Sequence, residues 1–253
     1  MNLSDYTLEL RQISKSFPGI VALDNVNFEV RSGEVHALLG ENGAGKSTLI
    51  KILSGYHQPD PGGEMLLGGE PITFRNPKDA IEASIHTIYQ ELTLCPHMTV
   101  AENIVLDKQD QFKGFLQRRQ EYRATAAQAL EDLGQSEIDP NALVKDLSIA
   151  QQQVVEIAKA VTAQAKFVLM DEPTSSISQN DADILMDIIR NLRADGVAII
   201  YISHRLHEIG GIADRITVLR DGELVGTVNN SDVVESDLIT MMVGRALNNV
   251  YPK

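Results

Sequence analysis

Hydrophobic and polar positions along this chain follow two alternating rhythms and one continuous one. Leu8 and Leu10, then Val26, Phe28 and Val30, alternate with polar residues on either side of Pro18-Gly19, which predicts two half-buried strands joined by a loop that carries Phe17. Mostly apolar runs at Val35 to Leu39, Phe167 to Met170 and Val197 to Ser203 predict buried strands, as in a parallel sheet, and Ile85 to Tyr89 reads as a further strand. Helical spacing follows the first run in STLIKIL, stopped by Gly55, and returns from about Asp181 to Arg193, before Asp195-Gly196. The segment PDPGGEMLLGGEPITF reads as a hairpin region, and Asn76-Pro77 as the N-cap and first residue of a short helix. Asp221-Gly222 predicts a tight hairpin between ITVLR and ELVGTV, and a last helix is expected from about Ser231 to Val243.

Between about Leu92 and Lys166 the strand rhythm disappears. Thr99 with Glu102, and Ser148 with Gln151, form capping boxes at the heads of two helices, and Arg118 to Leu133, closed by Gly134, reads as another. The expected organisation is an α/β core of about residues 1–91 and 167–253, with a mostly parallel sheet and an antiparallel β subdomain, interrupted by a helical subdomain of about 92–166.

Composition narrows the class. With 253 residues the chain can bury a sizeable core, and its formal charge of −13 supplies no basic field for nucleic acid, so no nucleic-acid partner is expected. The single cysteine, Cys95, excludes an internal disulfide framework, suggests a reducing compartment and reads as a small apolar residue. The start MNLSDYTLEL lacks the basic and apolar segments of a signal peptide, and no apolar run is long enough to span a bilayer.

The chemistry concentrates in Gly40 to Thr48, GENGAGKST. It fits GxxxxGK[ST] with Gly40, Gly45, Lys46 and Ser47 at the defining positions, after one apolar run and before one helix. Such a loop turns successive N–H groups of Asn42, Gly43, Ala44, Gly45 and Thr48 inward and adds the positive end of a helix dipole, making a cradle for phosphates. Lys46 is expected to reach the β- and γ-phosphates, and the Ser47 hydroxyl to bind Mg²⁺. Asp171 ends a buried strand at the carboxyl edge of the sheet, where it can hold the metal, and Glu172 can orient or deprotonate the attacking water. His204 and Gln90 also follow buried strands. The imidazole is expected to face the γ-phosphate, the amide to touch Mg²⁺ or the water, and Phe17 to offer a ring for adenine. Taken singly, an acidic pair at a strand end is as often a cap, and a histidine or aromatic there is more often structural; the phosphate loop upstream shifts the balance toward a site. No metal-cage spacing and no GxSxG nucleophile motif is present.

Five segments in fixed order carry a resemblance. GENGAGKST, IYQE, LSIAQQQ, FVLMDEPTS and YISHRLHE match the Walker A, Q-loop, signature, Walker B and switch-histidine motifs, and over essentially its whole length the chain resembles ATP-binding cassette (ABC) ATPases. KSFPGIVALDNVNF, LSIAQQQVVEIAKA, PTSSIS and MMVGR are similar to the first of two fused cassettes in importers of monosaccharides such as ribose, xylose or galactose. The resemblance implies ATP and Mg²⁺ as ligands, a sandwich with a second cassette, a transmembrane permease, an extracytoplasmic sugar-binding protein acting through it, and a place on the cytoplasmic face of the inner membrane. It implies that Ser148 is offered to the partner's nucleotide site, and that this chain is the N-terminal half of a longer protein.

Two positions depart from the family pattern. Ile149 and Ala150 stand where the signature LSGGQ has glycines, and Ser178 stands where the loop after Walker B usually has Asp. Both bear on the site that this chain would complete on its partner, and leave its own Lys46, Asp171 and Glu172 intact. Other readings are a soluble ABC ATPase acting as a mechanical switch, a nucleotide-binding half with little hydrolysis of its own, and, least supported, a phosphotransferase.

Overall fold

The computed structural model describes residues 6–107 and 115–244; Arg245, the end of the MMVGR stretch, lies outside them. The first two strands, β1 (Thr7–Phe17) and β2 (Ile20–Arg31), are longer than the alternation alone implied. Phe17 is the last residue of β1 and the connecting turn is reduced to Pro18-Gly19, so the expected loop around Phe17 is replaced by a tight hairpin. With β4 (Glu64–Leu67) and β5 (Glu70–Ile72) they form an antiparallel sheet in the order β2-β1-β4-β5.

The second sheet has the order β10-β9-β3-β8-β7-β6, built from β3 (Val35–Leu39), β6 (Ile85–Ile88), β7 (Phe167–Asp171), β8 (Ala198–Ile202), β9 (Arg215–Arg220) and β10 (Glu223–Asn229). All its pairings are parallel except the β9–β10 hairpin. Alternate residues of each central strand enter different cores: Val35, Val168, Ile199 and Tyr201 pack on one face, and Leu38, Leu169, Ile200 and Ile202 on the other. That is why these runs are mostly apolar. On the second face α1 (Lys46–Leu53) lies between the two sheets, burying Leu49, Ile50, Ile52 and Leu53.

Between β6 and β7 the chain is helical: α3 (Val100–Ile104), α4 (Phe115–Asp132) and α5 (Ile149–Thr162) pack against one another, after the short α2 (Pro77–Glu82) that precedes β6. Both expected capping boxes form, and Asn76 caps α2 through Lys78 and Asp79. α6 (Gln179–Ala194), α7 (Leu206–Ile212) and α8 (Glu235–Val243) complete the fold; the stretch before α8 opens with a 3₁₀ turn, Asn230–Asp232, so the last helix starts later than its polar preface suggested. Among the described residues no helix is long and apolar enough to cross a membrane.

The hairpin at Asp221-Gly222 has positive φ at both residues, 52° and 84°, the geometry that favours this dipeptide. Its tip braces the turn between β3 and α1. Gly222 N–H donates to Ala44 O at 3.3 Å, Asp24 N–H donates to Gly222 O at 2.8 Å, and a side chain on Gly40 would meet Leu219 O at 2.4 Å. Gly45, at φ 103°, is equally confined, since an added Cβ would lie 2.6 Å from Ala22 O and 2.7 Å from Leu23 Cδ2. Gly43, at φ 87°, has nothing within 4 Å of that position.

A buried polar chain crosses the base of the same sheet. Glu34 receives the Arg215 guanidinium at 2.6 and 3.0 Å and lies 3.2 Å from His36 Nδ1, while His36 Nε2 meets Thr217 Oγ1 at 2.7 Å. Burial opposes the charge on Glu34, but His36, Arg215 and the Arg31 N–H outweigh it and hold the carboxyl at about 2.

Two predictions follow from packing and charge. Gly45→Ala should lower the thermal midpoint by the equivalent of roughly 2–4 kcal/mol, combining steric overlap with left-handed strain, whereas Gly43→Ala should cost about 1 kcal/mol; a Gly45→Ala protein as stable as the parent would contradict the packing. Glu34 has a folded-state pKa below its unfolded value, so its contribution is complete above about pH 4.3 and is lost as pH falls toward 2. Glu34→Gln, by leaving the Arg215 guanidinium only its 3.6 Å pair with Glu29 and its bond to the Glu29 carbonyl, should reduce stability at neutral pH by about 1–3 kcal/mol and flatten the acid limb of a denaturation profile.

Candidate nucleotide site

The parallel strands deliver their chemistry to one edge. Gly40 follows Leu39 of β3, Gln90 comes two residues after Ile88 of β6, Asp171 ends β7, and His204 comes two residues after Ile202 of β8. Register keeps these ends level, with Asp171 opposite Ile202 and Ile88 opposite Met170.

An open cavity of about 480 Å³ lies there, lined by Asn42, Gly43, Gly45, Lys46, Ser47, Thr48, Gln90, Asp171 and Glu172 together with Phe17, Ile20 and Ala22 of the β1–β2 hairpin. The head of α1 faces it without a side-chain cap, because its N-cap is Gly45. Ala44, whose N–H was expected in the cradle, has its amide turned to Glu41 O at 3.1 Å and its side chain buried in the core. Lys46 Nζ donates to Gly40 O at 2.7 Å and Glu41 O at 3.0 Å, which holds the ammonium across the loop. Burial lowers the Lys46 pKa while Glu172 and Asp171 oppose that effect.

Asp171 is partly buried, and burial followed by the neighbouring Glu172 charge pushes its carboxyl up, against Lys46 and Lys51. Glu172 adopts φ 48°, uncommon for a residue with a side chain. The turn is fixed by its own N–H donating to Ile202 O at 3.0 Å and by Ser175 N–H donating to its carbonyl at 3.1 Å. Glu172 Oε2 lies 3.2 Å from His204 Nδ1. His204 is therefore brought to Glu172, with its side chain 62% exposed, and does not line the loop cavity itself.

Phe17 reaches the cavity from the end of β1, with His57 edge-on at 5.2 Å and Lys15 Nζ 5.6 Å from its ring centre. Ile20, 59% exposed at the start of β2, stands beside it and was not singled out from the sequence. Its signal was an apolar Ile20-Val21 pair just past the turn, out of phase with the alternation that buries the rest of the strand.

Ser148 stands apart from this cavity, at the head of α5, accepting from Gln151 N–H at 3.2 Å while Gln151 Oε1 accepts from its own N–H at 3.0 Å. Ile149 beside it is 48% exposed. Ser178 is the N-cap of α6, accepting from Asp181 N–H at 3.3 Å, a role that Asp fills equally well.

The donor set fits a magnesium–triphosphate complex. Among the described residues no cluster of three His, Cys, Asp or Glu is placed to hold a metal by itself. A hydroxyl, an amide and one carboxylate beside an anion cradle are what a small hard cation needs when phosphate oxygens and water supply its other ligands.

Comparison with known proteins agrees with this geometry. The family model described as ABC transporter matches residues 23–175. The ribose import ATP-binding protein RbsA 1 of Rubrobacter xylanophilus is 50% identical over 97% of this chain and 48% of its own length. A protein of Agrobacterium fabrum with the provisional name ribose/galactose/methyl galactoside import ATP-binding protein 1 is 49% identical over the same shares. The chain thus spans about half the length of the curated relatives it matches. The crystal structure of the ADP conformation of MJ1267, an ATP-binding cassette of an ABC transporter, superposes with a TM-score of 0.80 at 25% identity, covering 95% of this chain and 99% of that one. With its loop, sheet edge and five motifs in the expected order, this chain belongs to the ABC transporter family.

Proposed function

We propose that this chain binds and hydrolyses ATP as the catalytic cassette of a monosaccharide importer. The observation that carries the reading is the convergence of Lys46, Ser47, Gln90, Asp171 and Glu172 on one cavity that Phe17 and Ile20 also line. The importing role rests on the names of the relatives, whereas the permease, the second cassette, the sugar-binding protein and a peripheral place at the inner face of the membrane rest on the motif resemblance. The helices between β6 and β7 would form a subdomain of about residues 92–166, set into a nucleotide-binding core of about 1–91 and 167–253.

In this reading the loop N–H groups and Lys46 hold the β- and γ-phosphates, and adenine stacks on Phe17. Mg²⁺, held by Ser47, Asp171 and Gln90, would neutralise phosphate charge. Glu172 orients the water that attacks the γ-phosphorus and accepts its proton as the bond to the ADP oxygen breaks, while His204, 3.2 Å from Glu172, steadies that carboxylate and faces the γ-phosphate once the sandwich closes. Ser148 serves the partner's nucleotide. Ile149 and Ala150 put side chains where close approach of backbone to phosphate is required, so the competent site is this chain's loop facing the partner's signature.

Glu172→Gln should retain nucleotide affinity within about twofold and lose at least about a hundredfold in kcat, read by phosphate release; hydrolysis equal to that of the parent would remove Glu172 from the role of base. The chain alone should turn over slowly and accelerate when its second cassette is added, and rapid turnover unchanged by the partner would refute the composite site. Protons compete with Mg²⁺ for Asp171, whose carboxyl is pushed up. Metal affinity should therefore weaken as pH falls through that raised value and recover above it, measurable by calorimetric titration of the nucleotide-loaded protein.

A further inference from the structure

Glu208, in α7, is 5% exposed and takes no part in the mechanism above. Its Oε2 accepts three hydroxyl hydrogen bonds, from Thr174 at 2.9 Å, Tyr201 at 2.9 Å and Ser203 at 3.0 Å. Its Oε1 accepts from the Arg205 guanidinium at 3.2 Å. The donors come from different segments. Thr174 lies two residues beyond Glu172, Tyr201 is in β8, and Ser203 and Arg205 flank His204. Ser203 Oγ also accepts from Arg205 N–H at 2.9 Å, which folds the backbone around His204.

A buried carboxylate costs desolvation, and a stable core needs no such group at this place. Tyr201, Ser203 and Arg205 reach it from its own segment and Thr174 alone reaches it from the loop after Glu172, so the set of donors is complete only when both loops are in position. Beyond these bonds, one main-chain hydrogen bond, Glu172 N–H to Ile202 O at 3.0 Å, links the same two loop starts.

We infer that Glu208 is the positioning residue for the Glu172–His204 pair: its carboxylate clamps the segment that follows Glu172 to the segment that carries His204, fixing the 3.2 Å contact between them. The inference rests on the hydrolytic reading above, since it assigns Glu208 to the same site. Glu208 is buried and does not line the nucleotide cavity, so its loss acts on kcat through the pair, while the loop, Lys46 and Phe17 continue to bind ATP. Tyr201, as a third donor to the same oxygen, ties the clamp to the sheet. Burial and the adjacent Glu208 charge push the Tyr201 hydroxyl well above its ordinary range, so it stays a donor across the working pH.

The test uses the cassette assembled with its natural second cassette, measuring ATPase kcat, nucleotide affinity and thermal midpoint for Glu208→Gln, Thr174→Val, Ser203→Ala and the Thr174→Val/Ser203→Ala double variant. Glu208→Gln should lower kcat about tenfold or more with affinity within about twofold. Thr174→Val and Ser203→Ala should each lower kcat a few-fold, and the double variant should lose little more than the worse single one, because each change opens the same bridge. Should Glu208→Gln fail to fold, the two hydroxyl variants decide alone. Multiplicative losses, losses that follow the thermal midpoint, or parallel loss of affinity would show a structural group only and overturn the inference. A parent assembly without ATPase activity overturns the hydrolytic reading along with it, whereas an active parent with unaffected variants overturns the clamp alone.

Discussion

Two carboxylates, Asp171 and Glu172, stand in adjacent positions at the end of a strand buried on both faces, and the surrounding structure holds them there although the charge of Glu172 still pushes the Asp171 carboxyl up. Consecutive residues of an extended strand point to opposite sides, which would drive one carboxylate into the core. The backbone instead leaves the strand at Glu172 through a left-handed turn, φ 48°, secured by Ile202 O and Ser175 N–H. Both carboxylates stay within reach of the Lys46 charge, and Glu172 is also carried to His204. Strain of this kind costs on the order of 1–3 kcal/mol and persists only where neighbours over-determine it. The parallel register of β7 and β8 and the buried bonds around Glu208 do so.

The phosphate loop depends on a similar external brace. Its glycines answer two different demands. Gly40 and Gly45 are required by what lies behind the loop, the carbonyls of Leu219 and Ala22, whereas Gly43 has open space in front and is required by backbone conformation alone. The loop is held in shape by protein on one side, with the uncapped head of α1 facing the cavity on the other. An anion cradle works this way when its backbone is ordered beforehand, because charge is then met without reorganisation.

Much of this was legible in the sequence because it rests on local rules. Mostly apolar runs marked β3, β7 and β8; Asp221-Gly222 marked its hairpin; Thr99 with Glu102 and Ser148 with Gln151 marked helix starts. The loop residues, Asp171, Glu172 and Gln90 converge as their places after buried strands implied. Illegible features depend on distant partners. Phe17 was expected in a loop and ends a strand, because cross-strand pairing with Ile20 extends the hairpin to its last residue. Ile20 gives no chemical signal until the hairpin folds toward the loop. Glu208 looks like one more charged residue of an amphipathic helix; its local donors Tyr201, Ser203 and Arg205 give no sequence signal, and Thr174 joins them from 34 residues away.

The head of α5 marks where order inside one chain stops being sufficient. Ser148 already spends an acceptor site on Gln151 N–H, yet its hydroxyl hydrogen remains available to an outside oxygen. Beside it Ile149 is half exposed, an apolar side chain at a helix terminus whose free N–H groups favour an anion. These two features pull in opposite directions: the terminus attracts charge and the isoleucine keeps it at a distance. A surface so composed suits contact with another protein better than close coordination of phosphate. The opposite balance holds at α1, where glycine caps the helix and no side chain stands in front of its first N–H groups. The two helix termini of one chain are thus unequal by construction, and a sandwich that used both would have chemically different halves.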